Sequence, residues 1–285
     1  MRTQKEWFDL GVDYVRSGKF QDAIDAYKEA IQLEPNNGAI YNNLGAVYGK
    51  SGLHEEAIEA YKKAIQIEPN DATAHFNLGL AYRESGMFEE AIESLRRATQ
   101  IQPNKAMAHY GLGLAYRESG MYQQAIEAFR RAIRIEPNNA AVHFNFGLAY
   151  RESGMFREAI EAFKEAIRIQ PNKAMAHCGL GLAYRESGMY QQAIEAFKGA
   201  IQMRPYDARI HYWLGITYGK SDNHKDAIDA YKQAIRIKPD YTDAHYHLGV
   251  AYTRLNDRNA ALREHSILTK LDEQIALRLF KFIYE

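Results

Sequence analysis

The sequence predicts an all-α array of helix pairs, and three observations carry that prediction. The nonapeptide Gly79-Leu80-Ala81-Tyr82-Arg83-Glu84-Ser85-Gly86-Met87 returns letter for letter at 113–121, 147–155 and 181–189. The interval is 34 residues each time, and a fixed period of that length marks a stack of one supersecondary unit. All seven prolines (35, 69, 103, 137, 171, 205, 239) occupy one position of the period. No stretch alternates apolar and polar residues as a half-buried strand would.

The frame runs through nearly the whole chain. The first Gly of the nonapeptide has counterparts at 11, 45, 79, 113, 147, 181, 215 and 249, and a Tyr follows three residues later every time. An Ala recurs at 23, 57, 91, 125, 159, 193, 227 and 261. Eight units therefore fit: 4–37, 38–71, 72–105, 106–139, 140–173, 174–207, 208–241 and 242–275. At 285 residues the chain exceeds the size at which one core usually stops growing, and a stack in which each unit needs only its neighbours avoids that limit. Units four and six share 26 of 34 residues and units three and five share 24, against 22 for three and four, so a two-unit block was duplicated as one.

Each unit reads as two helices. In the third, 74–85 is amphipathic at helical spacing, and Gly86 sits where a helix ends in a left-handed residue. Asp222 and Asn256 replace that Gly in the last two units, and both residue types tolerate such a backbone. A second helix is predicted over 88–101, stopped by Pro103. Asn104, like Asn36, Asn70, Asn138 and Asn172, is placed to cap the next helix. Gly79 and Ala91 are small where the two helices come close. Glu93/Arg97, Glu127/Arg131 and Glu59/Lys63 are spaced for i,i+4 ion pairs on an exposed face.

At the ends the pattern changes. Trp7 opens the first unit, and the eighth lacks the Pro, carrying Glu273 there. Asp272 is placed to cap a final helix over 272–285, rich in apolar residues for one facing only water. Leu279, Phe280, Phe282 and Ile283 are the candidate self-association residues on it.

These residues resemble the tetratricopeptide repeat (TPR) family. The family pattern appears in the second unit as Tyr41, Leu44-Gly45, Tyr48, Gly52, Ala57, Tyr61, Ala64 and Pro69, and the match covers residues 4–275. The resemblance implies a right-handed superhelical solenoid of antiparallel helix pairs, closed by a C-terminal capping helix. It also implies a concave surface lined by the first helix of each repeat. Related 35-residue RNA-reading repeats fit neither the 34-residue spacing nor the Pro position.

Carried over position by position, that lining includes Asn43, Phe76, Asn77, Leu80, Tyr110, Leu114, Phe144, Asn145, Leu148, Leu182, Tyr212 and Trp213, with Gly111, Cys178, Gly179 and Ile216 between them. A contiguous apolar lining on a concave surface reads as a peptide-binding groove over repeats two to seven. The other reading is that a curved array buries these residues against the next repeat. Asn43, Asn77 and Asn145 share the position at which family members hold a peptide backbone, and one amide can both donate and accept. Gly111 and Gly179 break that series. The family's clamp for terminal carboxylates is not expected, since Phe8, Val12, Asn43, Thr73 and Asn77 stand at its positions and only Asn43 fits.

Other clusters have structural readings. Arg83, Arg117, Arg151 and Arg185 run parallel to Glu84, Glu118, Glu152 and Glu186, which suits pairing between neighbouring repeats or a polar rim for a partner. Histidines 75, 109, 143, 177, 211 and 245 share one position, but stacked helices lie about 8–10 Å apart and metal–nitrogen bonds are about 2 Å, so packing is expected and a metal is not. No phosphate-cradling loop, HExxH or CxxC is present, so neither an enzyme nor a cofactor is expected. Cys178, the one cysteine, reads as a drifted copy of Tyr110.

Composition narrows the rest. Acidic and basic residues balance at 36 each, giving no bulk field for nucleic acid or membrane. The first residues carry no apolar leader core, and a single cysteine suits a reducing compartment. The expectation is a cytoplasmic, non-enzymatic scaffold that binds a protein or peptide partner. The alternative is a self-assembling structural protein that oligomerises through its C-terminal helix or groove.

Overall fold

The computed structural model describes residues 2–285, which form two compact units, one ending at Asn138 and one spanning Asn139–Glu285. Among the described residues every regular element is a helix.

In the first unit α1 (Gln4–Arg16) packs on α2 (Phe20–Leu33), and α3 (Gly38–Lys50) on α4 (His54–Ile67). The same pairing joins α5 (Ala72–Glu84) to α6 (Phe88–Ile101) and α7 (Ala106–Glu118) to α8 (Tyr122–Ile135). The second unit pairs α9 (Ala140–Glu152) with α10 (Phe156–Ile169), α11 (Ala174–Glu186) with α12 (Tyr190–Met203), and α13 (Ala208–Lys220) with α14 (His224–Ile237). It closes with α15 (Thr242–Arg254), α16 (Arg258–Leu271) and α17 (Glu273–Tyr284), the last packing on both of its predecessors.

Helix ends follow from local chemistry. Gly86 has φ +74°, and the Met87 amide turns back to the Tyr82 carbonyl at 2.9 Å. Asp222 and Asn256 adopt the same left-handed backbone at 58° and 59°. Thr3 and Glu6 form a reciprocal capping box at the start of α1, and Asp272 Oδ1 accepts from the Ile275 amide at 3.0 Å to cap α17.

Two expectations shift. The N-cap lies one residue after the expected Asn70 and Asn138, where Asp71 and Asn139 accept from the first-turn amides of α5 and α9, and Asp207 caps α13 at the same position. For the same reason α5 begins at Ala72 rather than 74. The ion pairs also re-sort. Glu127–Arg131 forms at 3.3 Å, but Glu59 takes Lys62, and Arg97 bonds Gln100 and Asn70. All are exposed and contribute a few tenths of a kcal/mol at most.

Second helices carry the core. Each buries a stripe at helical spacing, as in Ala23, Ile24, Tyr27 and Ala30 of α2, against the next first helix, as in Ile40, Leu44 and Val47 of α3. In the first seven pairs one large side chain of the second helix plugs the gap left by a first-helix glycine: an added Cβ on Gly147 would lie 2.8 Å from the Phe163 ring. Phe163 is fully buried, which is worth about 1.5–3 kcal/mol relative to exposure.

Candidate functional site

In the first unit α3 packs on α5 and α5 on α7, so these first helices share a face. Asn43, Phe76, Asn77, Leu80, Tyr110 and Leu114 are all half-buried on it. Their inner sides touch the second helices, with Tyr110 on Phe129 at 6.0 Å between centroids. A Cβ on Gly111 would lie 3.2 Å from Phe76 and 3.7 Å from Leu80, so both side chains lean onto that glycine.

The second unit repeats the arrangement. Phe144, Asn145, Leu148, Leu182, Tyr212 and Trp213 are half-buried. Phe144 lies on Phe163 at 5.8 Å, Trp213 on Phe197 at 6.3 Å, and Tyr212 on Tyr231 at 6.1 Å. Each of these rings packs inward on one side and stays partly open on the other. Cys178 and Gly179 differ: both are buried, Cys178 within a core of Ile194, Phe197, Ile210 and Leu214. Burial pushes the Cys178 thiol up to about 12, the opposite of an activated nucleophile.

The asparagines are engaged within the chain. Asn43 donates to the Ala39 carbonyl at 2.8 Å and Asn145 to that of Ala141 at 2.9 Å. Asn77 donates to Asn42 Oδ1 at 3.0 Å, linking α5 to α3. Lysines join the face where the expected caps fail: Lys105 stands 5.9 Å over Phe76, and Lys173 4.9 Å over Phe144.

The Arg and Glu rows pair between successive first helices. Arg83 reaches Glu118 at 3.4 Å in the first unit, and Arg151 reaches Glu186 at 3.6 Å in the second. The histidines are pinned by the chain itself. Nε2–H of His75, His109, His177, His211 and His245 donates to the carbonyl of the Pro six residues earlier, at 2.8–3.1 Å. Each of these five prolines both follows a helix end and anchors the next helix.

Helices α6, α7 and α8 line a cleft of about 650 Å³ that the sequence reading missed, with Arg96, Thr99, His109, Tyr116, Glu127 and Arg131 among its residues. Its signal is Thr99, where the other second helices before α16 carry Ile. A polar wall results, with Arg96 donating to the Tyr116 hydroxyl at 2.7 Å.

The C-terminal helix corrects the expected self-association face. Leu279 and Ile283 are buried in a core with Ala261, Leu268 and Ala276, because α17 turns them toward α15 and α16. Phe282 is half-buried under Arg254, 5.2 Å from its ring. The exposed apolar stripe is Leu277 (55%), Phe280 (41%) and Tyr284 (54%), of which only Phe280 was expected. Among the described residues no helix is long and apolar enough to cross a membrane.

Residues 3–208 match the family model described as the cilia and flagella-associated protein 70 C-terminal domain, and residues 220–256 match the TPR repeat model. The chain belongs to the tetratricopeptide-repeat family. No curated protein matches its sequence. Among solved TPR-like structures, MamA is 35% identical with a TM-score of 0.55, covering 58% of this chain and 97% of its own. YrrB, described as a TPR protein with an unusual peptide-binding site, is 26% identical with a TM-score of 0.57, covering 66% of this chain and 96% of its own. The C-terminal part of a TPR protein from Cytophaga hutchinsonii, at 16% identity and a TM-score of 0.69 over 85% of this chain and 99% of its own, shares the fold. The TPR architecture is that of a protein-interaction scaffold.

Proposed function

We propose that the chain is a non-enzymatic scaffold that holds an extended or helical segment of a protein partner on the first-helix face of its units. One observation carries the reading. Half-exposed apolar side chains recur on successive first helices: Phe76, Leu80, Tyr110 and Leu114 in one unit, Phe144, Leu148, Leu182 and Tyr212 in the other. Pairing two helices requires the buried neighbours, such as Leu78 and Leu112, and does not require Leu80 or Leu114. Affinity then comes from seating apolar anchors among these side chains, with the asparagine row of Asn43, Asn77 and Asn145 alongside to set the register of a backbone. The peptide-binding site in the description of YrrB agrees with this reading.

The test selects displayed random peptides on the full chain and measures their binding to Leu114→Arg and Leu148→Arg separately. An arginine on either face should abolish binding of the peptides that use that unit. Unchanged affinity in both variants, with the fold intact by circular dichroism, removes the first-helix face as the site.

The second reading is self-association through α17, supported by the exposed stripe of Leu277, Phe280 and Tyr284. Sedimentation of the wild type against Leu277→Glu/Phe280→Glu separates the two readings, since a monomer in both cases removes self-assembly.

A further inference from the structure

The Arg–Glu ladder ends at Arg185, and its end is chemically incomplete. Arg83 reaches Glu118 and Arg151 reaches Glu186, in both cases the glutamate one repeat and one residue further on. For Arg185 that position is Lys220, and the next in the row is Arg254. At the sequence position where Arg83 and Arg151 find a carboxylate, Arg185 is offered a lysine.

The geometry records the deficit. Arg185 Nη1 is buried and has no hydrogen-bond partner, the one such side-chain atom among the described residues. Its nearest acid, Glu186, stands 4.0 Å from Nη2 and is shared with Arg151. Two guanidiniums therefore divide one carboxylate. Tyr212 and Tyr231 add no charge, because burial raises both phenols and keeps them neutral. An unpaired polar N–H in such a setting is destabilising, the more so on a charged group. The Arg185 side chain as a whole is 15% exposed and sits beside Tyr212, on the proposed peptide face.

We propose that Arg185 receives a carboxylate of the bound partner, which fills the place of the missing glutamate in the ladder. This rests on the peptide-binding reading and sharpens it: the segment on the second unit is apolar with one acidic group at a fixed register. The shared chemistry is a carboxylate, supplied by an Asp or Glu side chain or by a C terminus. The site differs from the carboxylate clamp excluded above, which uses other first-helix positions.

Short random peptides, displayed with either a free or a fused C terminus, are selected on the full chain, and synthetic copies are titrated by fluorescence anisotropy. The expected binders to the second unit carry one invariant acid. Its removal, by Glu→Gln, Asp→Asn or C-terminal amidation, weakens binding to the wild type by on the order of tenfold. The two display formats identify which carboxylate is used. That penalty disappears in Arg185→Gln, and also in Lys220→Glu, which restores the ladder glutamate in cis and guards against misfolding of the first variant. It persists in Arg83→Gln, whose guanidinium is already paired. Peptides that bind through the face without an invariant acid, or a penalty unchanged in both Arg185→Gln and Lys220→Glu, overturn the proposal while leaving the peptide-binding reading standing. Failure of every peptide to bind overturns both.

Discussion

Leu279 fills the gap at Gly249: a Cβ on that glycine would lie 2.5 Å from Leu279 Cδ2. In earlier pairs the equivalent gap is filled by the partner second helix, through Tyr27, Tyr61, Leu95, Phe129, Phe163, Phe197 and Tyr231. The eighth carries His265 there, and that ring packs on Phe280 at 5.3 Å instead. Helix α17 therefore supplies the plug that α16 lacks. Leu279→Ala should cost about 2–5 kcal/mol, the range for a buried leucine. Urea unfolding read at a probe in α15 checks it, and a midpoint equal to wild type would remove α17 as a structural member. For the same reason, truncation before α17 is a poor test of self-association, because it also strips this plug.

His245 makes the second unit sensitive to pH. Its Nδ1 lies 2.6 Å from a Glu264 carboxylate oxygen and its Nε2 2.9 Å from the Pro239 carbonyl, two acceptors that together favour the doubly protonated imidazolium. Burial opposes that charge, and the bonds to Glu264 and Pro239 outweigh it, raising His245 above the ordinary histidine range. A raised folded value means that the stabilisation is complete below about pH 6.5, the unfolded value, and is lost as pH climbs through the folded one. Thermal melts of wild type and His245→Gln at acidic and alkaline pH should show a larger gap at acidic pH. An equal gap at both would mean that the ring is neutral throughout.

Gly179 breaks the asparagine series for a steric reason. A Cβ there would stand 2.6 Å from the Phe163 ring, which is already seated against Gly147. Gly179→Asn should not extend an asparagine row but destabilise the second unit by about 1–3 kcal/mol through overpacking. A denaturation midpoint at or above wild type would contradict this packing.

Cys178 should be inert in the native chain. With the thiol pushed up to about 12 and the side chain buried, Ellman's reagent near neutral pH should react only after denaturant is added. Rapid native labelling would show that the core around Phe197 and Ile210 opens readily.

The repeat frame was legible because packing forces it. Glycines against rings, prolines at helix stops and left-handed residues at turns each admit few substitutes, so they recur and are read directly. Three features escaped because they depend on contacts between units of the pattern. The N-caps moved by one residue, since Asn104 and Asp71-type positions are both plausible caps until the backbone is known. The histidine row gave no hint that each ring bonds the proline carbonyl six residues back. Leu279 and Ile283 looked like an exposed stripe because only α15 and α16 reveal which side of α17 turns inward. The face of Phe76, Leu80 and Leu114 was legible by position, but not how far each ring or chain packs inward.

The central claim is that partner segments sit on the first-helix faces. Photo-crosslinking tests it most directly, using a selected peptide with benzophenone in place of its principal apolar anchor and mass spectrometry to map the attachment. The account predicts adducts at Phe76, Leu80, Tyr110 or Leu114 in the first unit, or at Phe144, Leu148, Leu182 or Tyr212 in the second. Adducts concentrated on the cleft around Thr99 and Arg131, or on the exposed stripe of α17, would contradict it.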